Sequence, residues 1–155
     1  MRPGSIEAAS ALLAEAAREG RRIGIGKELE TDGLARVLEH EAGDLTCTVE
    51  AGIRLSALRD ALAPKGQRLS LDPPGDPTVG ACLARRLSGP LSHRFGTSRD
   101  LVLGVTLVLG DGTVASSGGK VVKNVAGYDL GKLVCGSEGR PVSYTHLTLP
   151  TILRV

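Results

Sequence analysis

The chain has little of the material that nucleic-acid recognition requires. It has no tryptophan, and Phe95, Tyr128 and Tyr144 are its only other large aromatic residues, so it lacks aromatic platforms on which bases could stack. Its 19 basic residues nearly balance 17 acidic ones, and Arg140 and Arg154 near the C-terminus account for the difference. A balanced chain has no basic field to attract a phosphate backbone. We therefore exclude nucleic acid as a partner.

Cysteines and long apolar runs are also scarce. Cys47, Cys82 and Cys135 are widely spaced and form no C-x-x-C pair, which argues against a disulfide framework, a zinc site or an iron–sulfur cluster. No apolar run approaches the length that crosses a bilayer, and no basic segment followed by an apolar stretch opens the sequence. We predict a soluble cytoplasmic chain with reduced cysteines, no metal and no membrane span of its own.

The segment over residues 141–155 differs in composition from everything before it. It abandons the Gly, Ala and Arg bias of the chain, and residues 142–151 resemble a translated transposon-end adapter of the kind used to prepare sequencing libraries. The alternative is a natural β-strand, because Thr, Tyr, Leu and Val favour strands. We predict that this tail is non-native and that the natural chain is cut short near Arg140, and we leave the tail out of the predicted fold.

Helical and strand patterns mix along residues 1–140. Apolar residues at helical spacing after Ser5, a good capping residue, predict a helix that ends at Arg18. The other predicted elements are strands over residues 21–25, 45–50, 101–109 and 113–116, a helical turn over residues 34–38, and helices over residues 55–62 and 79–87. Residues 72–77 (DPPGDP) predict a stiff loop, because prolines fix φ and lack an N–H group. Hairpins mixed with helices indicate the α+β class.

Glycines and other small residues concentrate between residues 72 and 139. Backbone without side chains lets N–H groups approach a pyrophosphate or the edge of a planar cofactor closely. The segments are residues 78–81, 88–90, 118–119 and 136–139. Each of them, taken alone, is also consistent with an ordinary turn.

Two familiar nucleotide-binding motifs are incomplete in this chain. Residues 24–26 begin a G-x-G-x-x-G pattern, but Leu29 stands at its third glycine and the order of elements does not suit a Rossmann fingerprint. Residues 118–120 (GGK) resemble the end of a P-loop, but Val114 replaces its first glycine and Val121 replaces the Ser or Thr that would bind magnesium.

Six stretches across the chain resemble the FAD-linked oxidases whose flavin domain is shared with vanillyl-alcohol oxidase and p-cresol methylhydroxylase (PCMH). Among these enzymes, the FAD-binding subunit of bacterial glycolate oxidase is the most similar. The stretches are LEHEAGDLTCTVEAG (38–52), LDPPGDPTVGACLA (71–84), LSGP (87–90), RFGTSRDLVLGVTLVLGDG (94–112), GGKVVKNVAGYDL (118–130) and KLVCGSEG (132–139). They follow the order of the family, and KNVAGYD followed by GSxG is the most specific of them.

The resemblance implies a two-lobed PCMH-type FAD-binding domain, incomplete at its C-terminus. It places a small lobe at about residues 1–52 and a larger lobe at about residues 53–140. Residues 78–81 would offer backbone groups to FAD, and Arg99 with Asp100 would position the strand beneath it. The implied cofactor contacts are Gly24, Gly26, Thr78, Val79, Gly80, Ala81, Ser88, Gly89, Arg99, Asp100, Gly136, Ser137 and Gly139.

Three departures from the family pattern concern cofactor binding. The glycine-rich loop after the first strand is shortened, because residues 24–27 pass directly to residues 28–31. Ala81 stands where the family commonly has a second glycine. After Gly139 the family continues into a final flavin-contacting strand and a substrate cap, which the tail replaces.

The implied activity is oxidation of a small 2-hydroxy acid, glycolate or D-lactate, by hydride transfer to FAD while a base accepts the hydroxyl proton. We assign no catalytic residue, because Lys123, Asn124, Tyr128 and Asp129 each have a structural alternative; Asp129, for example, could cap a following helix. His40 is predicted to lie at an exposed helix end and His93 in a solvated loop.

The resemblance also implies partners, namely a second flavin subunit and an iron–sulfur subunit. Through them a cytoplasmic chain would lie at the periphery of the inner membrane. One alternative is a non-catalytic assembly subunit that keeps the fold, which the shortened loop favours. Another is a different FAD-linked enzyme, such as a D-lactate dehydrogenase or a reductase of cell-wall precursors.

Overall fold

The computed structural model describes residues 1–24, 28–119, 129–138 and 142–153. The helices are α1 (Ile6–Arg18), α2 (Leu55–Leu62), α3 (Val79–Arg85), α4 (Ser92–Phe95), α5 (Ser98–Leu101) and α6 (Leu130–Val134). The strands are β1 (Val37–Glu41), β2 (Thr46–Glu50), β3 (Gln67–Leu69), β4 (Gly104–Leu109), β5 (Val114–Gly118) and β6 (Val142–Leu153). An antiparallel sheet with helices packed on it confirms the predicted α+β class.

The strands form one sheet in the order β1-β2-β6-β4-β5, and β3 pairs with β6 beside this path. β6 lies between β2 and β4, where Thr148 is opposite Thr48 on one side and Gly104 on the other. The segment predicted to lie outside the fold is therefore the central strand of the sheet. The prediction of its exclusion from the fold is wrong, and the strand alternative describes it. Its adapter origin stays a prediction.

The main core lies between the sheet and helices α2, α3 and α5. Leu58 and Leu62 of α2 and Cys82 of α3 are completely buried there, and Leu147 and Leu149 of β6 pack in the same cluster. A smaller cluster joins α1 to β4 through Ala9, Leu13, Leu29 and Val108. Cys47 and Val49 of β2 belong to the main cluster, so parts of both predicted lobes share one core. The division near residue 52 stays a prediction.

Capping chemistry explains where the predicted helices begin and end. The Ser5 hydroxyl accepts a hydrogen bond from the Ala8 N–H at 3.2 Å, which starts α1. A 3-10 turn over Ala63–Lys65 follows α2, and Gly66 then stops it in the left-handed conformation at φ +65°. The helices predicted after Ser5 and over residues 55–62 are thus confirmed.

The helical turn predicted over residues 34–38 is wrong. Leu34 lies in a turn, and Val37 begins β1 opposite Val49 of β2. Pairing with a neighbouring strand outweighs a helical pattern that rested on three apolar positions. His40, predicted at an exposed helix end, is a half-buried residue of β1 whose Nε2 lies 2.9 Å from Oε1 of Gln67.

Two of the predicted strands also differ from the strands of the structure. Residues 21–24 form no strand, because the Arg21 N–H donates to the Ala16 carbonyl and continues the turn that ends α1. The strand predicted over residues 101–109 begins only at Gly104, because α5 occupies its start. Its hairpin with β5 is confirmed, and Gly112 at φ +87° supplies the turn.

Deletion of the Leu147 side chain tests the central role of β6. Leu147 is fully buried and lines an apolar space beneath α3 together with Leu149, so Leu147→Ala enlarges an existing void. We expect it to lower the free energy of unfolding by about 2–5 kcal/mol, measured by urea denaturation. Leu133→Ala is the matched control, because Leu133 is 75% exposed; its loss should be about 0.5 kcal/mol or less. Equal losses would contradict a core role for β6.

Candidate functional site

Helix α3 is the element around which most of the predicted site residues gather. Its first turn rests on the bend after β2: the Val79 N–H donates to the Ile53 carbonyl at 2.9 Å and the Gly80 N–H to the Ala51 carbonyl at 2.7 Å. The Ala81 N–H donates to the hydroxyl of the capping Thr78 at 3.2 Å. These three N–H groups thus donate within the protein, and the prediction that residues 78–81 offer backbone groups to a cofactor stays a prediction.

Two of the predicted site glycines also have a packing reason. A Cβ on Gly80 would lie 2.9 Å from the Ala51 Cβ, and a Cβ on Gly89 would lie 1.9 Å from the Asp72 carbonyl oxygen. Both positions thus require glycine because neighbouring protein atoms leave no room. Ala81 lies within α3 without a positive φ, so its methyl group meets the condition of ordinary backbone angles.

The predicted last cofactor loop docks against the C-terminal end of α3. The Gly136 N–H donates to the Leu83 carbonyl at 3.0 Å, and the Glu138 N–H donates to the Ala84 carbonyl at 2.8 Å. These bonds satisfy carbonyl groups that the end of a helix leaves unpaired. Ser137 lies between them, and its N–H donates to the Val134 carbonyl. The described part of this segment, residues 136–138, is therefore held against the end of α3 that leads into Ser88.

The loop at Ser88 and Gly89 carries two backbone N–H groups that could serve a ligand. Neither N–H group donates a hydrogen bond within the described ranges of the chain. The Ser98 N–H donates to the Ser88 hydroxyl at 3.4 Å, and the Ser98 hydroxyl is buried with no hydrogen-bond partner among the described residues. Burial raises the pKa of the nearby Cys135 thiol, and the charges of Arg86 and Arg99 offset part of that rise. Unpaired polar groups beside half-buried backbone fit the oxygen atoms of a dinucleotide.

Arg99 and Asp100, which were predicted to position the strand that follows them, lie on α5, a short helix that ends three residues before β4 begins. The Asp100 carboxylate accepts hydrogen bonds from the Thr97 hydroxyl at 2.7 Å and the Thr97 N–H at 2.9 Å, a capping box that lowers the pKa of Asp100. Both residues are exposed. Their contact with a cofactor stays a prediction.

The predicted cap at Asp129 is confirmed, because its carboxylate accepts the Lys132 N–H at 3.0 Å. The other polar residues of the KNVAGYD motif, Lys123, Asn124 and Tyr128, lie outside the described residues. Gly26 and Gly139 of the predicted site lie outside them as well. His93, predicted in a solvated loop, is an exposed residue of the short helix α4.

Gly24 stands apart from the residues around α3. Its N–H donates to the Glu28 carboxylate at 2.7 Å, and its carbonyl accepts the Glu28 N–H at 2.9 Å. Leu29, the next residue, packs in the smaller core cluster with α1. A backbone donor of the shortened loop is therefore occupied by an acidic side chain of the same chain, a contact that the sequence did not predict.

A buried carboxylate fixes the loop that leads into β1. The Glu50 side chain is 1% exposed and accepts hydrogen bonds from the Arg36 N–H and the Arg36 Nη2, each at 2.7 Å. Burial alone would raise the pKa of Glu50, but the hydrogen bonds and charge of Arg36 outweigh it and hold the pKa below its ordinary value. Glu50 directly precedes the Ala51–Gly52 bend on which α3 rests, so this ion pair helps to position the site.

Within the described ranges, no group of three or more His, Cys, Asp or Glu residues is arranged to hold a metal ion. Among the helices of the same ranges, none is long and apolar enough to cross a membrane.

Comparisons with known proteins point to one family. Residues 26–118 match the family described as FAD binding domain. The chain is 33% identical over 132 residues to the glycolate oxidase subunit GlcE of Escherichia coli (strain K12), covering 83% of this chain and 38% of that protein. It is 36% identical over 103 residues to the mitochondrial D-lactate dehydrogenase [cytochrome] 1 of Saccharomyces cerevisiae, covering 66% of this chain and 18% of that protein. It thus spans well under half of either relative.

The fold is similar to that of a solved alkyldihydroxyacetonephosphate synthase. The TM-score is 0.83 at 19% sequence identity, and the match covers 99% of this chain and 31% of that one. At this sequence identity the comparison concerns the fold alone. The matched part of this chain includes β6.

Glu50→Gln tests how the ion pair supports the site. Because the folded state lowers the pKa of Glu50 below 4.5, the carboxylate stabilises the protein fully above that pH, and the effect is lost as pH falls through the folded-state pKa. We expect Glu50→Gln to lower the free energy of unfolding by about 1–3 kcal/mol at pH 7, with the difference from wild type shrinking in acid. Urea denaturation across pH 3–7 measures it. Glu41→Gln, at an exposed position of β1, is the control; a difference independent of pH would contradict the assignment.

Proposed function

The chain belongs to the family of FAD binding domains, and from that premise we propose that it is the cofactor-binding part of a flavin-dependent oxidoreductase that oxidises a small 2-hydroxy acid. FAD is the cofactor of the family that matches residues 26–118. The similarity to a glycolate oxidase subunit and a D-lactate dehydrogenase supports the substrate class. The structural observation that carries the proposal is the loop of Ser88 and Gly89, which lies inside the matched region and whose N–H groups donate to no acceptor among the described residues.

The residues of this chain would bind and orient FAD. The Ser88 and Gly89 N–H groups would donate to oxygen atoms of the cofactor, and the loop of Gly136 and Ser137, docked on the end of α3, would close the same region. Buried leucines beneath α3 exclude water from its inner face. When bound, FAD supplies the acceptor for the hydride that leaves the α-carbon of the substrate. Among the described residues we assign no base for the hydroxyl proton.

We further propose that the chain works with partners. GlcE is named as a subunit of glycolate oxidase, as is the Bacillus subtilis (strain 168) relative GlcD, which is 36% identical over 67% of this chain and covered over 23% of its own length. The three cysteines of the sequence are too widely spaced for a cluster of their own, so an iron–sulfur acceptor would belong to another subunit. In this proposal the assembly is cytoplasmic and meets the inner membrane only through its partners.

One observation favours a second candidate, an assembly subunit that keeps the fold without binding FAD. The Gly24 N–H is already bonded to the Glu28 carboxylate, and a negative charge at that position would repel a diphosphate. The N–H groups of Val79 and Gly80 are also used within the protein. Both candidates have the same fold, so cofactor binding separates them.

Titration of the purified protein with FAD tests the first candidate. We expect quenching of flavin fluorescence that saturates at one FAD per chain, and a yellow protein after gel filtration. In the assembly with its partner subunits, the flavin absorbance should bleach when glycolate or D-lactate is added without oxygen. A folded, colourless protein that does not quench FAD fluorescence would favour the assembly subunit.

A bulky side chain at Ala81 tests where FAD binds. Ala81 is a half-buried residue of α3, and its N–H keeps its bond to Thr78 in Ala81→Leu. We expect this variant to bind FAD about tenfold more weakly, because the isobutyl group that replaces the methyl group occupies space beside the cofactor. Ala57→Leu, on an exposed face of α2, is the matched control and should bind like wild type. Equal FAD affinity in both variants, at unchanged melting temperature, would place the cofactor elsewhere.

A further inference from the structure

A second cleft, which we name the arginine cleft, lies between α2, β3 and the loops at Asp72 and Leu91. Two arginines line it, Arg59 from α2 and Arg68 from β3, together with the side chain of Asp72. The rest of its wall consists of four leucines, Leu55, Leu69, Leu71 and Leu91. It encloses about 390 Å³, including its opening to solvent. None of these residues belongs to the predicted cofactor contacts.

The two arginines of this cleft form no ion pair with an acidic side chain in the described part of the chain. The Arg68 Nε is buried and donates to no acceptor there. None of the ion pairs formed among the described residues includes Arg59 or Arg68. An unpaired buried guanidinium donor is costly, because it has lost its water without gaining an acceptor.

The acids near the cleft are engaged elsewhere. Both oxygens of the Asp72 carboxylate lie 3.2 Å from the Leu91 N–H. Asp76 accepts hydrogen bonds from the Ser56 N–H and the Ser56 hydroxyl. These hydrogen bonds lower the pKa of Asp76, and the charges of Arg54 and Arg59 lower it further to a smaller extent. Two arginines and one aspartate therefore line the cleft, and its lining has a net positive charge.

The chemistry of the walls selects the kind of anion. A guanidinium group binds a carboxylate or a phosphate through two parallel hydrogen bonds. The leucines form a wall of low polarity that strengthens this attraction and accommodates a short hydrocarbon chain. We propose that the arginine cleft binds the carboxylate group of a small organic acid, with the acid's apolar end against the leucines. This inference goes beyond the proposed function, because nothing in the cleft depends on FAD.

The position of the cleft connects it to the cofactor loop. Its Asp72 wall contacts Gly89, since a Cβ on Gly89 would meet the Asp72 carbonyl oxygen at 1.9 Å. An acid bound to Arg59 and Arg68 would thus lie next to the loop of Ser88 and Gly89, whose N–H groups donate to no acceptor in the part of the chain that the structure describes.

Titration with propanoate, without FAD, tests this assignment. The chemical shift of the Arg68 Nε–H group, followed by NMR on the uniformly ¹⁵N-labelled chain, should move and saturate. Arg68→Gln and Arg59→Gln should each weaken binding about tenfold, because each removes one charge-assisted pair of hydrogen bonds. Binding to Arg68→Gln, which lacks this group, is followed by the backbone N–H shifts of Leu69 and Leu91, and the same shifts are measured in the other variants for comparison. Arg59 is exposed on α2, so its variant keeps the test valid if the Arg68 variant does not fold.

Arg22→Gln is the matched control, because Arg22 is exposed and forms none of the ion pairs of the described residues. It removes the same charge and should bind propanoate like wild type. Shifts that never saturate, or equal weakening in Arg22→Gln, would overturn the proposal. Tighter binding of inorganic phosphate than of propanoate, with the same dependence on both arginines, would also overturn it in favour of a phosphate site. Failure to bind FAD leaves these outcomes unaffected, so the two proposals fail separately.

Discussion

The hydrogen bonds of β6 to β2 and β4 hold together a sheet that otherwise consists of separate hairpins. β1 pairs with β2 and β4 with β5, and β6 joins the two pairs and also carries β3. A two-stranded hairpin alone is marginally stable in water. Leu147 and Leu149 of β6 also lie beneath α3, so the helix around which the site is arranged rests on this strand. The arrangement of the site therefore depends on a segment that contributes none of the predicted cofactor contacts.

The elements that the sequence predicted correctly carry their own local signals. Ser5 and Thr78 cap helices with their hydroxyl groups, and Gly66 and Gly112 adopt the left-handed angles that end a helix or turn a hairpin. Where the prediction was wrong, distant partners decide the structure. Val37 joins a strand because Val49 lies opposite it, and residues 142–153 form a strand because two neighbours leave a gap that only a strand fills. No local pattern contains that information.

The candidate site was predictable in part for the same reason. The family motifs correctly selected segments that the structure places around α3. Residues 78–81 form the start of this helix, and residues 88–89 and 136–137 lie near its C-terminal end. The motifs did not show which N–H groups are free, because a donor's partner depends on the tertiary structure: Gly80 donates to Ala51, whereas Gly89 does not donate within the described ranges. The arginine cleft was missed because Arg59 and Arg68 belong to no motif and meet only through packing.

The place of β6 in the sheet also determines how the protein can be made. Its hydroxyl pair, Thr48 and Thr148, joins residues 100 positions apart, and every neighbour of β6 is synthesised before it. Until the ribosome releases β6, the hairpins expose unpaired backbone edges, which are templates for association with other chains. Contacts so distant in sequence also slow folding. Soluble yield should therefore depend on chaperones and on the rate of translation more than the stability of the finished domain suggests.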